Sequence, residues 1–135
     1  MRTSHAQLLQ TLVDSTPYAS YLGIVADLNN KNESIFRLAF QEHHLGNPMI
    51  RTFHGGIIAS FAEIAAAIDT QANQKLEKLP KCSSITLDYL RPAFAGTLLA
   101  KPSTVRVGKR FTVVSVDVQL EQKLVSRGRF IYTPK

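Results

Sequence analysis

Only one cysteine, Cys82, occurs in the 135 residues. No intrachain disulfide can form, which fits a reducing compartment, and a cytoplasmic location is expected. Cys82 opens a segment that reads as a strand, so it reads as a small strand residue rather than a nucleophile. Long apolar runs are missing too. The longest, around Gly55 to Ile68, falls short of the roughly 20 residues a membrane span requires, and Glu63 interrupts it. No membrane partner is expected. The opening MRTSHAQLLQTLVDSTP lacks the continuous apolar stretch of a secretory signal. His43, His44, His54 and Glu63 lack zinc-site spacing such as HExxH, so no metal is expected. There is no GxSxG elbow to present a serine nucleophile. Repeats, linkers and low-complexity segments are also missing, which leaves one domain over 1–135, with 1–17 as an N-terminal helix and lead-in.

What is present reads as globular: 44% hydrophobic and 19% charged residues. Sixteen basic against ten acidic residues give a formal charge of +6, which suits a polyanion without saying which one. The cations are scattered, from Lys75, Lys78 and Lys81 through Arg91, Lys101, Arg106, Lys109 and Arg110 to Arg129. No aromatic-interleaved RNA-binding signature or helix-turn-helix spacing accompanies them, so no nucleic-acid partner is expected.

Along the chain, Ser4 to Val13 carries apolar residues at helical spacing behind a Ser4 cap, and Pro17 opens a short turn that Tyr18, Tyr21 and Leu22 would anchor. Ile24–Leu28 and Ile35–Phe40 read as strands joined at Asn29–Asn32 into a hairpin. An apolar helix is expected over Ile57–Ile68, with the polar Gln71–Lys81 as a connection. Four strands follow: Ser84–Leu90, Thr97–Val107 (interrupted by Pro102), Arg110–Leu120 and Leu124–Tyr132. The order α-β-β-α-β-β-β-β is α+β, a meander of antiparallel strands with one apolar face that the helix covers. Open sheet edges make self-association expected.

The chemistry concentrates in GNPMIRTFHGGIIASFAEIAAAIDT, Gly46–Thr70. A helix apolar all round is normally buried, and a lone carboxylate there is costly unless paired, hydrogen-bonded or neutral. Glu63 is therefore either a catalytic group facing a cleft or half of an interface ion pair. Ser60, Glu63, Ala67 and Thr70 form one polar or small stripe that would line such a cleft. Gly55 and Gly56 stand where a loop enters the helix. Backbone N–H groups there have no helical partner and face the electropositive end of the dipole. Either the pair forms an oxyanion hole, or it only makes a tight turn. His54 is read first as a residue that fixes the loop by bonding to backbone. Nine residues separate it from Glu63, and about 900° of helical rotation leaves the two half a turn apart. One chain therefore makes an awkward His–Glu dyad; a two-fold dimer resolves it. Phe53, Phe61 and the small Ala59, Ala62 and Ala66 suggest an apolar tunnel.

Asn47-Pro48 followed by FHGGIIASFAEIAAA, with the later ITLDYLRPAFAGTLLAKPSTVRVGKRFTVVSVDVQLEQKLVSRGRFIYTP, resembles the HGG-containing hotdog-fold acyl-CoA thioesterases of the phenylacetate-pathway type. The resemblance runs from Tyr18 to Pro134. It implies a hotdog fold, a curved antiparallel sheet of about six strands around one long helix. It also implies that Glu63 attacks the thioester carbonyl or activates water, that the Gly55 N–H polarises that carbonyl with Gly56 supporting the turn, and that His54 and Asn47 orient thioester or water. Ala67 stands where a hydroxyl residue is often found, so Thr70, Ser83 or Ser84 are candidates to replace it, and Ser60 of the stripe is a further candidate for the substrate site. Gly108, Lys109 and Arg110 match a stretch that grips the phosphates of coenzyme A, with an ordinary charged hairpin as the other reading. No cofactor is implied beyond the coenzyme A that enters as part of the acyl-CoA substrate. A homodimer or dimer of dimers with sites at the subunit interface is implied. A non-catalytic acyl-CoA-binding module is the alternative; nucleic-acid binding and enoyl-thioester hydration stand behind it.

Overall fold

In the computed structural model, which describes residues 4–133, the central helix is longer than its apolar run. Here α3 spans Gly55–Gln74 and ends at Lys75, whose positive φ of 55° caps it. The first third of the expected connection, up to Gln74, is thus helical, because the polar residues at its end still pack. Asp69, Thr70 and Gln71 are all buried. Residues 1–3 and 134–135 of the expected domain, Pro134 among them, lie outside the described residues.

Two short helices precede the sheet. The first, α1 (His5–Asp14), carries a capping box: Ser4 Oγ accepts the Gln7 N–H, and the Gln7 side chain accepts the Ser4 N–H. It buries Leu9 and Val13. The second, α2 (Pro17–Leu22), starts on Pro17, where the missing N–H costs nothing. Leu22 anchors it, but Tyr18 and Tyr21 do not: both rings lie exposed.

Eight strands follow in two sheets: β1 (Ile24–Leu28), β2 (Ser34–Ala39), β3 (Leu45–Asn47), β4 (Thr52–Phe53), β5 (Lys81–Tyr89), β6 (Thr97–Val107), β7 (Thr112–Leu120) and β8 (Lys123–Thr133). The six long ones form one antiparallel sheet ordered β1-β2-β6-β7-β8-β5. The expected hairpin of β1 and β2 is present, its turn held by Asn29 Oδ1 accepting the Lys31 and Glu33 N–H groups. Glu121 and Gln122, both at positive φ, make the tight turn between β7 and β8. From Lys101 onward β6 has a neighbour only in β7, since β2 pairs no further than Ala100. That is where Pro102, with no N–H to give, fits a strand. The register of β6 against β7 shifts slightly later, between Thr104 and Arg106.

One face of this sheet wraps α3. Phe36, Leu38, Leu98, Val114, Val116, Val118, Phe130 and Tyr132 meet Phe61, Ala62, Ala65, Ala66 and Ile68 in the core. Alanines on the helix let it lie close to the strands. Gly128 serves the same end on β8, because a Cβ there would come within 2.7 Å of the Phe130 ring and 2.8 Å of Leu87. This is the hotdog arrangement: a curved sheet with one long helix as its filling. The two edges of the sheet differ. Along β1 lies α1, whose Gln10 Oε1 accepts the Ala26 N–H at 2.8 Å. Along β5 nothing pairs among the described residues, and Ile85 and Tyr89 stand half-exposed on it.

Among the described residues no helix is long and apolar enough to cross a membrane, and no group of three or more His, Cys, Asp or Glu could hold a metal ion.

Candidate active site

The sequence before α3 folds into a small hairpin that the pattern alone did not reveal. Strands β3 and β4 pair across Asn47–Thr52. The Asn47 Oδ1 accepts the Met49 N–H, and the Asn47 carbonyl accepts the Arg51 N–H, with Arg51 at positive φ. This Asx turn is local chemistry of Asn in an otherwise polar loop. Asn47 stays exposed with its side-chain NH2 unbonded among the described residues. Under the hairpin sits His44, fully buried. Its Nδ1 accepts the Gln41 N–H, its Nε2 lies 2.8 Å from the Leu22 carbonyl, and its own carbonyl accepts the His54 N–H. Burial, foremost, pushes the His44 pKa below its ordinary value, and nearby His43 adds to that.

His54 is the N-cap of α3. Its Nδ1 accepts the Gly56 N–H at 2.9 Å. A side chain on Gly56 would sit 3.0 Å from that Nδ1, so glycine there leaves room for the cap. With the Gly56 N–H engaged, the Gly55 N–H is the one left without a partner among the described residues. Tyr89 on β5 steadies this end by donating its hydroxyl to the Gly55 carbonyl at 2.7 Å.

Two helical turns on, the Glu63 carboxylate is half-buried and faces a cleft of about 170 Å³ lined by Tyr18, Ala59, Ser60, Ile64 and Ile85. It has no cation partner among the described residues. Burial raises its pKa above the ordinary carboxylate value. The Tyr132 hydroxyl donates to the Glu63 backbone carbonyl, which ties this turn of α3 to β8. Cys82 is close enough for the Glu63 charge to raise the thiol, although burial is the larger cause.

The expected polar stripe breaks here. Ser60 and Glu63 share the cleft, but Ala67 and Thr70 are buried and line none of it. Thr70 Oγ1 is buried with no hydrogen-bond partner. Its side chain is enclosed within the chain. The apolar tunnel is corrected likewise: Phe53, Phe61, Ala62 and Ala66 are spent in the core, and Ala59 alone of the five reaches the cleft.

On the other face of the sheet lies an open groove of about 700 Å³. Ser83, Gly108, Lys109 and Arg110 line it, joined by Arg106, Phe111, Val113 and Ile131, which the sequence did not single out. Ser83 donates to the Ile131 carbonyl. Ser84 lies in the β5 bulge beside it, exposed but outside the groove. Strand β5 therefore contributes to both spaces, with Ser83 in the groove and Ile85 in the Glu63 cleft. Within one chain, neither His54, Gly55 nor Asn47 lines the Glu63 cleft.

The thioesterase superfamily model matches residues 51–126, a span that includes the His54 cap, Glu63 and all of the groove lining except Ile131. This chain belongs to the thioesterase superfamily, and with it to the thioester hydrolases. It is 30% identical over 116 residues to a Halobacterium salinarum protein provisionally named an esterase, covering 84% of this chain and 76% of that one. It is 29% identical over 123 residues to the Salmonella typhimurium medium/long-chain acyl-CoA thioesterase YigI, covering 80% and 78%. Among solved structures, the Escherichia coli PaaI protein of the phenylacetic acid degradation operon superposes with a TM-score of 0.79 at 26% identity, covering 96% of this chain and 92% of that one.

Proposed function

We propose that the protein hydrolyses an acyl-CoA thioester to a carboxylic acid and coenzyme A, at a site completed by a second copy of the chain. The carrying observation is a half-buried carboxylate, Glu63, that no cation neutralises and that faces a cleft. Its raised pKa suits proton transfer. As base, Glu63 takes a proton from water while the water oxygen attacks the thioester carbon. The carbonyl oxygen gains charge, and the unpartnered Gly55 N–H at the helix start stabilises it. The C–S bond then breaks, and the proton on Glu63 goes to the departing thiolate. As nucleophile, the same carboxylate attacks the carbon directly; the C–S bond breaks, the coenzyme A thiolate leaves and takes a proton from water, and the anhydride that remains is cleaved by water to the acid and free Glu63. His54 holds the loop through its cap, and the free amide of Asn47 orients thioester or water.

Because Gly55 does not line the Glu63 cleft within one chain, a partner meeting the open β5 edge is what unites them. The groove bearing Arg106, Lys109 and Arg110 supplies charge for the coenzyme A phosphates. The relatives named acyl-CoA thioesterases support that substrate class.

A thiol-release screen over short, medium, long and aromatic acyl-CoAs tests this. Turnover is expected in at least one class and is expected to vanish in Glu63→Gln and Glu63→Ala while acyl-CoA binding survives. Equal turnover in these variants would end the assignment. Tight binding of acyl-CoA with no thiol release from the wild type would instead favour a binding module.

A further inference from the structure

The Glu63 cleft is walled on one side by a residue from outside α3 and the sheet. Tyr18 stands on α2, fixed in place by Pro17 at the helix start and by buried Ala19 and Leu22. Its ring stacks on Tyr21 at 6.1 Å between centroids and an interplanar angle of 12°. Tyr21 in turn meets the His43 ring at 4.7 Å, and the His43 Nε2 lies 3.2 Å from the Tyr21 carbonyl. The Tyr18 ring is thus braced, although 47% of the residue is exposed.

Ile64 of α3, Ile85 of β5 and the small Ala59 line the cleft with it. Among the described residues no cation lines the cleft, and its one formal charge is the carboxylate of Glu63. An uncharged acyl tail suits it, and a tail ending in a second carboxylate does not. The part of it that one chain encloses, about 170 Å³, compares with a cavity of roughly 150 Å³ that takes up benzene, room for on the order of six carbons before a second copy adds its own surface. Resting on the acyl-CoA hydrolase reading, we propose that Tyr18 is a specificity-determining residue: its braced ring is the wall that sets how long an acyl chain fits beside Glu63, with Ile85 as a second wall.

Acyl-CoAs of increasing chain length, compared in the wild type, Tyr18→Ala and Tyr18→Phe, test it. Each methylene in an apolar pocket is worth about tenfold or more in kcat/KM. Tyr18→Ala is therefore expected to raise the ratio of long-chain to short-chain kcat/KM by at least about tenfold, mostly through KM. Tyr18→Phe keeps the ring and is expected to keep the profile. A Tyr18→Ala profile parallel to the wild type would overturn the assignment. If the wild type releases no thiol from any substrate, hydrolysis fails as a function. The length profile is then read by calorimetry of acyl-CoA binding to Glu63→Gln, with and without Tyr18→Ala. The same shift there supports the wall, and an unmoved profile or no binding at all refutes it.

Discussion

Two carboxylates lie on α3 six residues apart, and they have different fates. Asp69 is 4% exposed; burial raises its pKa, while hydrogen bonds from Ser34 and Asn73 and the charge of His5 pull it back. Glu63 is raised by burial alone, with no opposing donor or cation. Six residues turn the helix by about 600°, so the two side chains leave on different faces. One faces β2 and α1, which bring it partners; the other faces a cleft, which brings it none. An acid in an apolar helix is thus two signals at once. What separates a structural carboxylate from a reactive one is whether the fold answers its charge.

The comparison breaks most sharply under substitution. Glu63→Gln should lower kcat by at least about a hundredfold, the usual contribution of a positioned proton-transfer group. Asp69→Asn should change kcat by no more than a fewfold. Thiol-release kinetics on both variants decide it, and comparable losses would mean that Glu63 has no special standing. Stability should move the other way. Asp69→Ala removes a buried side chain beside half-buried Ser34 and exposed Asn73 and should cost about 1 kcal/mol in denaturant unfolding.

Acidity sharpens the contrast further. The Glu63 pKa in the folded chain lies above its unfolded value, so the charged form is the disfavoured one in the fold. Below the unfolded pKa the group is neutral in both states and costs nothing. The penalty grows as pH rises through the folded pKa. Glu63→Gln should therefore raise Tm at neutral pH, with the gain fading as pH falls toward the ordinary carboxylate range. In the wild type, activity that needs the ionised carboxylate should fall on the acid side at a pH above that range. A Tm difference independent of pH would count against the burial of Glu63 as its cause.

A smaller effect should come from the groove. Lys109→Ala with Arg110→Ala should raise KM for acyl-CoA severalfold, leave kcat near its starting value, and flatten the dependence of KM on salt. An unchanged KM would return these cations to an ordinary charged hairpin.

Much of this was legible in the chain. The alternation in Thr112–Leu120 and the asparagine turn at Asn29 specify strands and hairpin by local rules, and both stand as expected. His54, the glycines and Glu63 announce themselves because each is odd in its setting. What stayed hidden depends on tertiary packing. Helix α3 runs on to Gln74 because Asp69, Gln71 and Ala72 find buried places that their polarity or size does not advertise. Thr70 shares a helical stripe with Glu63, yet it is buried while Glu63 reaches the cleft. Tyr18 reads as an anchor for α2, whereas its ring turns outward to wall the cleft. The groove joins Ser83 to Arg106 and Phe111 across strands that lie far apart in sequence, which no spacing rule connects.

The Gln10 side chain occupying the β1 flank has a consequence for assembly. A ribbon that can be lengthened from both sides grows without limit, as fibres do. Here α1 lies along one side, so two chains that joined strand to strand through β5 would leave only flanks covered in this way, and a ribbon built like that would end at a pair.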